Sequence, residues 1–562
     1  MSKAIPDAAL DTTVSLEFSS HALTLLLCAL FVALTLGITV WARRNTRGAV
    51  DFYAGGRRFG PVQNGLALTG DYLSAASFLG IAGMIALWGY DGFLYSVGFL
   101  VAWMLVLPLA QLMRNTGRFT MADLPGYRMP RMRVRAACAC ATVTVCVFYL
   151  LAQMVAAGAL VAMLVGTTAT STRIMGIVGV GVLMIVYVMY GGMKGATWLQ
   201  IIKAVLLLLG SALVCVLVLA QFGFDPSRLL TSASDASSHG TQLLQPGLYL
   251  GQDVPGDTAQ TLVNKLDLFS LGLGLVLGTA ALPHVLIRFY TVPDGTAARS
   301  SVRWAIALIG AFYLMTLVLG FGAAAIVGRD AILDQDRSGN TAVPQLALAL
   351  GESLGGAVGG AVLLAFISAV ALATILAVVA SLTLASSMSL AHDVFGHIVM
   401  WGRPKESQEV GVARVCAAVV GVVAIGLAIL ARDLNVAFLV GLAFSVAAAA
   451  NLPVILLSLF WRRFNSRGVL WGIAGGLVSS ITLVLLSPVV SGKTDPQTGE
   501  NLSLLPAWIN IQVFPLENPG IVAIPVGFLC AVLGTLTCRE YDPERYQDLQ
   551  LRSLTGSGAA RS

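Results

Sequence analysis

The chain has 562 residues, of which 57% are hydrophobic and only 11% are charged. Soluble proteins carry about 25% charged residues, so this composition excludes an ordinary soluble domain and indicates a helical membrane protein. The net charge of +6 therefore bears on the orientation of the chain in a membrane rather than on nucleic-acid binding.

Apolar runs of about twenty residues predict about thirteen transmembrane helices. In chain order the predicted spans cover 21–41, 61–88, 92–113, 137–165, 174–191, 196–222, 266–290, 303–327, 355–392, 411–431, 434–461, 468–489 and 519–538. The ninth run is long enough for a span with a cytoplasmic extension.

Basic residues are concentrated in alternate loops, for example between 43 and 58 and between 114 and 135, whereas 89–91 has none. The loop after the seventh span is among the basic ones, and Arg288 is assigned to it as an anchor at the inner face. Because basic loops remain in the cytoplasm, we expect a multi-pass protein of the plasma membrane with its N-terminus outside and its C-terminus inside.

The spans divide into two groups of five that begin on opposite sides of the membrane. The predicted parts are an external N-terminus with the first span and a basic cytoplasmic loop (1–60), a first five-helix repeat (61–222), an external loop (223–265), an inverted second repeat (266–461) that includes the external loop 328–354, two C-terminal spans (462–538) and a cytoplasmic tail (539–562). The long external segments are rich in Asp, Ser and Gly and are interpreted as solvated loops.

The second span carries the sequence TGDYLSAAS at its centre, which predicts a broken helix. Gly70 weakens a helix, and Asp71 costs roughly 2.5–3.5 kcal/mol at membrane depth on insertion scales. Irregular backbone is tolerated in a membrane where it lines a cavity inside the protein. Asp71 is interpreted either as a cation or proton site, or as the N-cap of the second half-helix with Ser74 three residues later.

The seventh span, LDLFSLGLGLVLGTAALPHVLIRFY, carries a second break at Gly278, Pro283 and His284, because Pro removes a helical hydrogen bond. Two interrupted helices at corresponding positions of inverted halves indicate the central site of a transporter. His284 is interpreted either as a structural hydrogen-bonding residue or as a residue of the transport pathway.

Polar residues near the breaks are candidates for a solute site, although small residues there also permit close helix packing. Lys203 is expected either to extend toward the cytoplasm or to attract anions. The candidates for substrate binding are Tyr72, Ser74, Ser77, Tyr95, Ser96, Gly278 and Thr279. The candidates for gating or the transport pathway are Gln200, Lys203 and His284. No nucleotide-binding loop is found, so we expect transport to use an ion gradient or none.

Several segments resemble the sodium:solute symporter family over nearly the whole chain. They are DFYAGGRRFGPVQNGLA, GDYLSAASFLGIAG, YGGMKGATWLQIIKAV, LPHVLIRFYT and ALATILAVVASLTLASSMSLAHDVF. They are most similar to the cation/acetate symporter branch, which moves acetate and related short monocarboxylates. The resemblance implies an all-α integral membrane protein with leucine-transporter-type inverted five-helix repeats and flanking helices.

The resemblance also implies a sodium site formed by the second and ninth spans. The positions it assigns to the cation are Gly70, Leu73, Thr374, Ala377 and Val378, and Asp71 joins these candidates because it is an acidic residue at membrane depth. The family's Ser/Thr pair is replaced here by Ala377 and Val378, so Thr374 or Ser381 is a candidate replacement ligand, or the coupling ion is a proton.

Two further positions depart from the family pattern. Gln200 stands where members often have an Asp, and Tyr72 stands where some members carry an acid in the second span. These departures leave solute transport as the prediction and leave Na⁺ and H⁺ open as the coupling ion.

The predicted function is a secondary active symporter that moves acetate or related short monocarboxylates into the cell with Na⁺ or H⁺. The alternatives are a symporter for proline, a sugar or a nucleobase, an intramembrane enzyme, or a solute sensor that does not transport. The expected partners are a small carboxylate, the coupling cation and membrane lipid, with no nucleic acid and no cofactor besides the coupling ion. No oligomeric state is predicted.

Overall fold

A computed structural model describes residues 54–556, apart from 168, 401–404, 494–500, 502 and 541, together with scattered positions between 26 and 37. Within this described part, the regular elements are helices. Most of the predicted first span, 21–41, and of the basic loop that follows it lies outside the described residues.

The first repeat begins with a span that is bent by 63° between two helices. Its elements are α1 (Pro61–Tyr72), a π-helical turn (Ala76–Gly80), α2 (Ile81–Trp88), α3 (Tyr90–Thr116), α4 (Asp123–Arg128), α5 (Met132–Val165), α6 (Thr170–Val188) and α7 (Gly192–Gln221). The backbone of Gly192, with φ 57° and ψ −171°, separates α6 from α7, a conformation that glycine adopts without a steric penalty.

The second repeat follows a surface helix, α8 (Pro226–Ala236), and also begins with a broken span. Its elements are α9 (Thr258–Gly278), α10 (Pro283–Leu286), α11 (Gly295–Ile326), α12 (Arg329–Gln335), α13 (Ala342–Ser389, continued by a π-helical segment to Val399), α14 (Glu406–Leu430) and α15 (Val436–Phe460). Three helices complete the chain: α16 (Ser466–Leu485), α17 (Gly520–Leu536) and α18 (Pro543–Thr555).

The helices are long and apolar enough to account for the predicted spans that the structure describes. Ten helices meet the length and composition of a membrane span, or eleven if α1 and α2 form one broken span, and α17 is a shorter apolar helix. Large apolar side chains such as Met104, Leu209 and Val422 are exposed on the outer faces of the bundle, as contact with lipid requires.

The two segments predicted as solvated loops contain more helix than expected. The segment 223–265 includes α8 and the start of α9, and 328–354 includes α12 and the start of α13. At α8 the reason is local: Asp225 accepts a hydrogen bond from the Ser227 amide at 2.9 Å, and Pro226 occupies the first helical position.

The segment after α8 is fixed to the first repeat by Asp91, at the start of α3. The buried carboxylate accepts hydrogen bonds from the backbone N–H groups of Gly247 at 3.0 Å, Tyr249 at 2.6 Å and Leu250 at 2.9 Å. The Tyr249 ring also stacks on Trp88 at the end of α2, with ring centroids 4.9 Å apart. This segment therefore covers the end of the broken second span.

The polar C-terminal tail also forms a helix, α18, that docks on both repeats. Asn115, at the end of α3, donates a hydrogen bond to the carbonyl of Ser553 at 2.8 Å. Gln550 donates a hydrogen bond to the carbonyl of Leu459, at the end of α15. The tail thus connects the ends of two spans that belong to different repeats.

Candidate solute and cation site at the two helix breaks

The first break lies where the sequence predicts it. α1 ends at Tyr72, and Leu73 has an extended backbone with φ −70° and ψ 96°. The hydroxyl of Ser74 then accepts a hydrogen bond from the Ala76 amide at 3.2 Å, which satisfies one free donor of the next half-helix. The predicted broken helix is confirmed, but the N-cap interpretation of Asp71 is wrong, because Asp71 lies in the last turn of α1 and Ser74 makes the cap contact.

The second break also lies at the predicted place. α9 ends at Gly278, Leu282 is extended with ψ 117°, and Pro283 is the first residue of α10. Pro at a first helical position loses no helical hydrogen bond, so the chain restarts a helix there without an energetic penalty. Gly278 itself lies against α15, where an added Cβ would be 2.4 Å from the carbonyl oxygen of Phe444. This contact gives Gly278 a packing role.

A pair of buried hydroxyl groups joins the two breaks. The Tyr72 hydroxyl lies 3.0 Å from the hydroxyl of Thr279 and donates to the carbonyl of Phe99 at 2.9 Å. Both side chains are among the predicted substrate-binding residues, and the structure brings them together. The ring of Tyr72 packs edge-on against Phe99 and Trp103, so aromatic side chains enclose this contact.

Asp71 is the centre of a buried polar cluster beside the first break. Its carboxylate accepts hydrogen bonds from Nε of Arg288 and from Nε2 of Gln200, the latter at 2.6 Å. The other guanidinium nitrogens of Arg288 donate to the hydroxyls of Thr197 at 2.5 Å and Ser381 at 3.0 Å. Arg288 therefore connects α1, α7 and α13 through one side chain.

The assignment of Arg288 to a basic surface loop was wrong. Its side chain is fully buried, and it forms an ion pair with the equally buried Asp71. The second break explains the difference, since α10 and the 3₁₀ turn Ile287–Thr291 keep this segment inside the bundle. A buried guanidinium requires a counter-charge and several acceptors, and Asp71 with the two hydroxyls supplies them.

Lys203 also points into the protein, so the expectation that it extends toward the cytoplasm was wrong. The residue is 1% exposed, and its Nζ donates a hydrogen bond to the carbonyl of Gly70. This carbonyl lies in the last turn of α1, where the break leaves backbone acceptors without a helical partner. A buried amino group needs such an acceptor, which explains the inward direction.

Gln200 joins the second and ninth spans at the predicted cation positions. Its Nε2 lies 2.9 Å from the carbonyl of Ala377 and 3.2 Å from the hydroxyl of Ser381, besides its contact with Asp71. Two of these neighbours are acceptors only, which fixes the amide orientation with nitrogen toward them. The candidate pathway residue Gln200 thus fills the space between α1 and α13.

The remaining predicted cation positions lie on the same two helices. The Thr374 hydroxyl donates to the carbonyl of Val370 in its own helix at 2.8 Å, and Leu73 and Val378 are buried. Of the six positions, Asp71 and Ala377 are joined through Gln200, and N–H donors are already bonded to the carbonyls of Gly70 and Ala377.

Gln153, in α5, is a buried polar residue at the first break that sequence reasoning missed. Its Oε1 accepts a hydrogen bond from the Ala75 amide at 3.2 Å, and its Nε2 has no hydrogen-bond partner among the described residues. The sequence does contain a signal for this residue, because Gln153 is the one amide side chain in the apolar run 137–165. Such a residue at membrane depth is costly unless it is bonded or functional.

His284, at the second break, packs against α5, the helix that also carries Gln153. Its ring packs edge-on against Tyr149, one turn before Gln153 in α5, with ring centroids 5.2 Å apart. His284 is fully buried, and both of its ring nitrogens lack a hydrogen-bond partner in the described part of the chain. The interpretation of His284 as a structural hydrogen-bonding residue is therefore wrong, whereas a role in the pathway stays a prediction.

The remaining substrate-binding candidates, Ser77, Tyr95 and Ser96, differ in their contacts. Ser77 lies 3.2 Å from the Tyr313 hydroxyl, and both are buried. Tyr95 is buried beside Gly441 of α15, and the hydroxyl of Ser96 has no partner among the described residues. Within the described chain, neither Tyr95 nor Ser96 is hydrogen-bonded to a residue of the breaks.

The chain matches a family model and close relatives over most of its length. The model described as the sodium:solute symporter family matches residues 52–476. A "Monocarboxylic acid transporter" of Corynebacterium glutamicum is 46% identical over 547 residues, which are 95% of this chain and 94% of that protein. The "Uncharacterized symporter YwcA" of Bacillus subtilis (strain 168) is 46% identical over 534 residues, 94% of this chain and 98% of that protein.

Two solved transporters share the fold at low sequence identity. A Na⁺-coupled sialic acid symporter in a substrate-bound outward-open state is 15% identical, with a TM-score of 0.67 over 92% of this chain and 98% of that one. Mhp1, a nucleobase-cation-symport-1 family transporter in a closed conformation, is 13% identical, with a TM-score of 0.50 over 90% of this chain and 99% of that one. These similarities confirm the predicted leucine-transporter-type helical fold.

Proposed function

The chain belongs to the sodium:solute symporter family, and from this membership we propose that it carries acetate or related short monocarboxylates into the cell together with a cation. Family membership makes the chain a transporter and a multi-pass membrane protein. The substrate class is supported by the Corynebacterium glutamicum relative, a monocarboxylic acid transporter that the chain matches nearly from end to end.

The observation that carries the proposal is the amide nitrogen of Gln153 beside the first break, which is buried and has no hydrogen-bond partner in the described part of the chain. A buried N–H group without an acceptor costs about 1–3 kcal/mol, so the site is more stable when an acceptor binds. A carboxylate is a strong acceptor that carries no donor of its own, and it therefore matches this group. The unpartnered ring of His284 offers a second donor in its N–H tautomer.

The aromatic side chains around the breaks also favour a short substrate. Tyr72, Phe99, Tyr149 and Phe444 pack against one another around the breaks, with ring centroids 5.2–6.1 Å apart in four contacts. The two proposed donors, Gln153 and His284, lie beside these aromatic side chains. Such a site suits a small ligand with one charged end and a small apolar end. Acetate, propionate and pyruvate have this form, whereas a sugar requires many polar partners.

In the proposed cycle, the carboxylate binds between the two breaks, and the two repeats then rock to open the site to the other side. The backbone amides of Ala75 and Ala76, at the start of the second half-helix, already have acceptors in Gln153 and Ser74. We therefore assign first contact with the carboxylate to Gln153 and His284 rather than to backbone amides.

The test is uptake of labelled acetate into proteoliposomes that contain the purified protein. We expect saturable uptake that propionate and pyruvate inhibit and that glucose and proline do not. Gln153→Leu should raise KM for acetate by about tenfold, since it removes the proposed donor to a charged group. Gln345→Leu is the matched control, because among the described residues the side chain of Gln345 bonds to Thr341, the N-cap of α13. Strong inhibition by proline without inhibition by propionate would contradict the proposal.

A further inference from the structure

Two backbone oxygens at positions that the family resemblance assigns to the sodium site are bonded to side-chain N–H groups of the protein itself. The carbonyl of Gly70 accepts from Nζ of Lys203, and the carbonyl of Ala377 accepts from Nε2 of Gln200 at 2.9 Å. A sodium ion at this place would have to displace both donors from their acceptors. The described residues therefore do not fit a sodium ion at these positions.

The ligand set would also be incomplete if the two donors moved away. The family's hydroxyl pair is replaced by Ala377 and Val378, whose side chains have no oxygen. The nearby hydroxyl of Thr374 donates to its own helix at the carbonyl of Val370, 2.8 Å away. A hard cation prefers several oxygen ligands, and the substitutions remove two of them.

The charge balance at the first break also disfavours a bound sodium ion. Arg288 and Lys203 place two basic side chains around the single carboxylate of Asp71, and all three are buried. An added sodium ion would increase the excess of positive charge in a medium of low dielectric, which is unfavourable. A bound monocarboxylate would instead neutralise the excess.

We propose that Lys203 replaces the sodium ion of this site and serves as a fixed positive charge for the carboxylate substrate, so that the chain transports without binding Na⁺ there. Gln200 completes the replacement, because it joins Asp71 of α1 to Ala377 of α13, the two helices that a shared ion would otherwise connect. The inference rests on the proposed function for the identity of the substrate, but the exclusion of Na⁺ does not depend on it.

The first experiment measures Na⁺ binding without any substrate. The thermal unfolding of the purified full chain is compared in NaCl and in choline chloride at equal ionic strength. We expect the same Tm in both salts. A rise in Tm that saturates with Na⁺ and is absent with choline would overturn the proposal, because a ligand that binds only the folded state must stabilise it.

The second experiment measures acetate uptake into proteoliposomes at a clamped membrane potential. We expect no accumulation under an inward Na⁺ gradient and accumulation under an inward proton gradient without Na⁺. Accumulation driven by Na⁺ would overturn the proposal while leaving monocarboxylate transport intact. Absence of uptake of any monocarboxylate under either gradient would instead contradict the proposed function, and the Tm comparison would still decide whether Na⁺ binds.

Variants of Lys203 separate its charge from its packing. Lys203→Met should raise KM for acetate by at least about tenfold, whereas Lys203→Arg, which keeps the charge, should change it by much less. Lys265→Met is the control, since Lys265 is an exposed residue paired with Asp253. An unchanged KM in Lys203→Met would overturn the role of the fixed charge. If Lys203→Met does not fold, the Na⁺ measurements on the unmodified chain and the kinetics of Lys203→Arg still test the proposal.

Discussion

The carboxylate of Asp71 and the guanidinium of Arg288 form an ion pair in which both side chains are fully buried. The pair joins the two broken spans, because Asp71 ends the first half of one and Arg288 follows the break of the other. It therefore fixes the relative position of the two repeats at the level of the proposed solute site.

Removal of one partner of this ion pair should lower the stability of the folded protein much more than removal of both partners. Asp71→Ala leaves a buried guanidinium without its counter-charge, and a loss on the order of 3–5 kcal/mol is typical of such changes. The double variant Asp71→Ala, Arg288→Met should recover part of that stability. Thermal unfolding of the purified variants measures these changes in stability. The control is Asp253→Ala, which removes one partner of the exposed ion pair between Asp253 and Lys265. Additive losses in the double variant would show that the pair is not coupled.

Gly70 should not tolerate even one added methyl group. A Cβ at this position would lie 2.4 Å from the backbone oxygen of Gln200, and two backbones are harder to move apart than flexible side chains. Gly70→Ala should therefore lower Tm and abolish uptake. Gly272→Ala, in α9, is the control, since no heavy atom lies within 4 Å of its added Cβ. There we expect unchanged stability or a gain of about 0.5–1 kcal/mol.

His284→Phe should weaken substrate binding and leave the fold intact. The substitution preserves the edge-on ring contact with Tyr149 and removes only ring nitrogens that have no partner among the described residues. We expect KM for acetate to rise by about tenfold with an unchanged Tm. Kinetics and thermal unfolding are compared with those of His239→Phe, which lies in the segment after α8. A variant with the original KM would exclude His284 from the carboxylate site.

Asp123 should stabilise the turn between α3 and α5 in its ionised form. Its carboxylate accepts from the backbone N–H groups of Phe119 at 2.6 Å and Thr120 at 3.0 Å, and from Arg135 at 3.1 Å. Burial alone would raise the pKa of Asp123, but Arg135, His392 and the backbone donors hold the pKa well below its usual range.

The stabilisation by Asp123 is therefore present above the unfolded pKa of about 4 and is lost as the pH falls below that value. Asp123→Asn should lower the stability by about 1–3 kcal/mol at neutral pH. The difference in Tm from the unmodified chain should shrink on acidification toward and below pH ~4. A difference that does not change with pH would show that the charge of Asp123 has no part in it.

The orientation of the chain is tested by cysteine labelling in intact cells. Basic loops predict that α12 faces the outside and that the start of α14 faces the cytoplasm. Asp334→Cys, an exposed position, should then react with an impermeant thiol reagent, and the equally exposed Ser407→Cys should react only after permeabilisation. The unmodified chain, with its native cysteines, supplies the background. The reverse labelling pattern would contradict the assigned orientation.

The sequence predicts the fold and the two breaks because both depend on local signals. Apolar length identifies the spans, and Gly70 and Pro283 mark the irregular backbone. The partners of Asp71 were not predictable in the same way. Gln200 and Arg288 lie 129 and 217 residues away along the chain, and only the packing of the spans brings them to one point.

Charged side chains were the least predictable part of the site. The position of each residue relative to the membrane edge predicted that Arg288 faces the cytoplasm and gave the same direction as one of two alternatives for Lys203, because this rule considers one span at a time. The structure directs both inward, since a carboxylate and free carbonyls at the break offer acceptors that no single span has. Gln153 was missed for the same reason, as its acceptor role depends on a neighbouring helix break.

The docked helix α18 has a kinetic consequence. It is bonded to the end of α3 through Asn115 and to the end of α15 through Gln550, so any step that separates these two ends must break one of these contacts or carry α18 with it. Breaking such bonds adds to the activation enthalpy of that step, which slows it most in the cold. We therefore expect α18 to make the turnover rate depend more steeply on temperature, although this helix lies outside both repeats and far along the chain from the solute site.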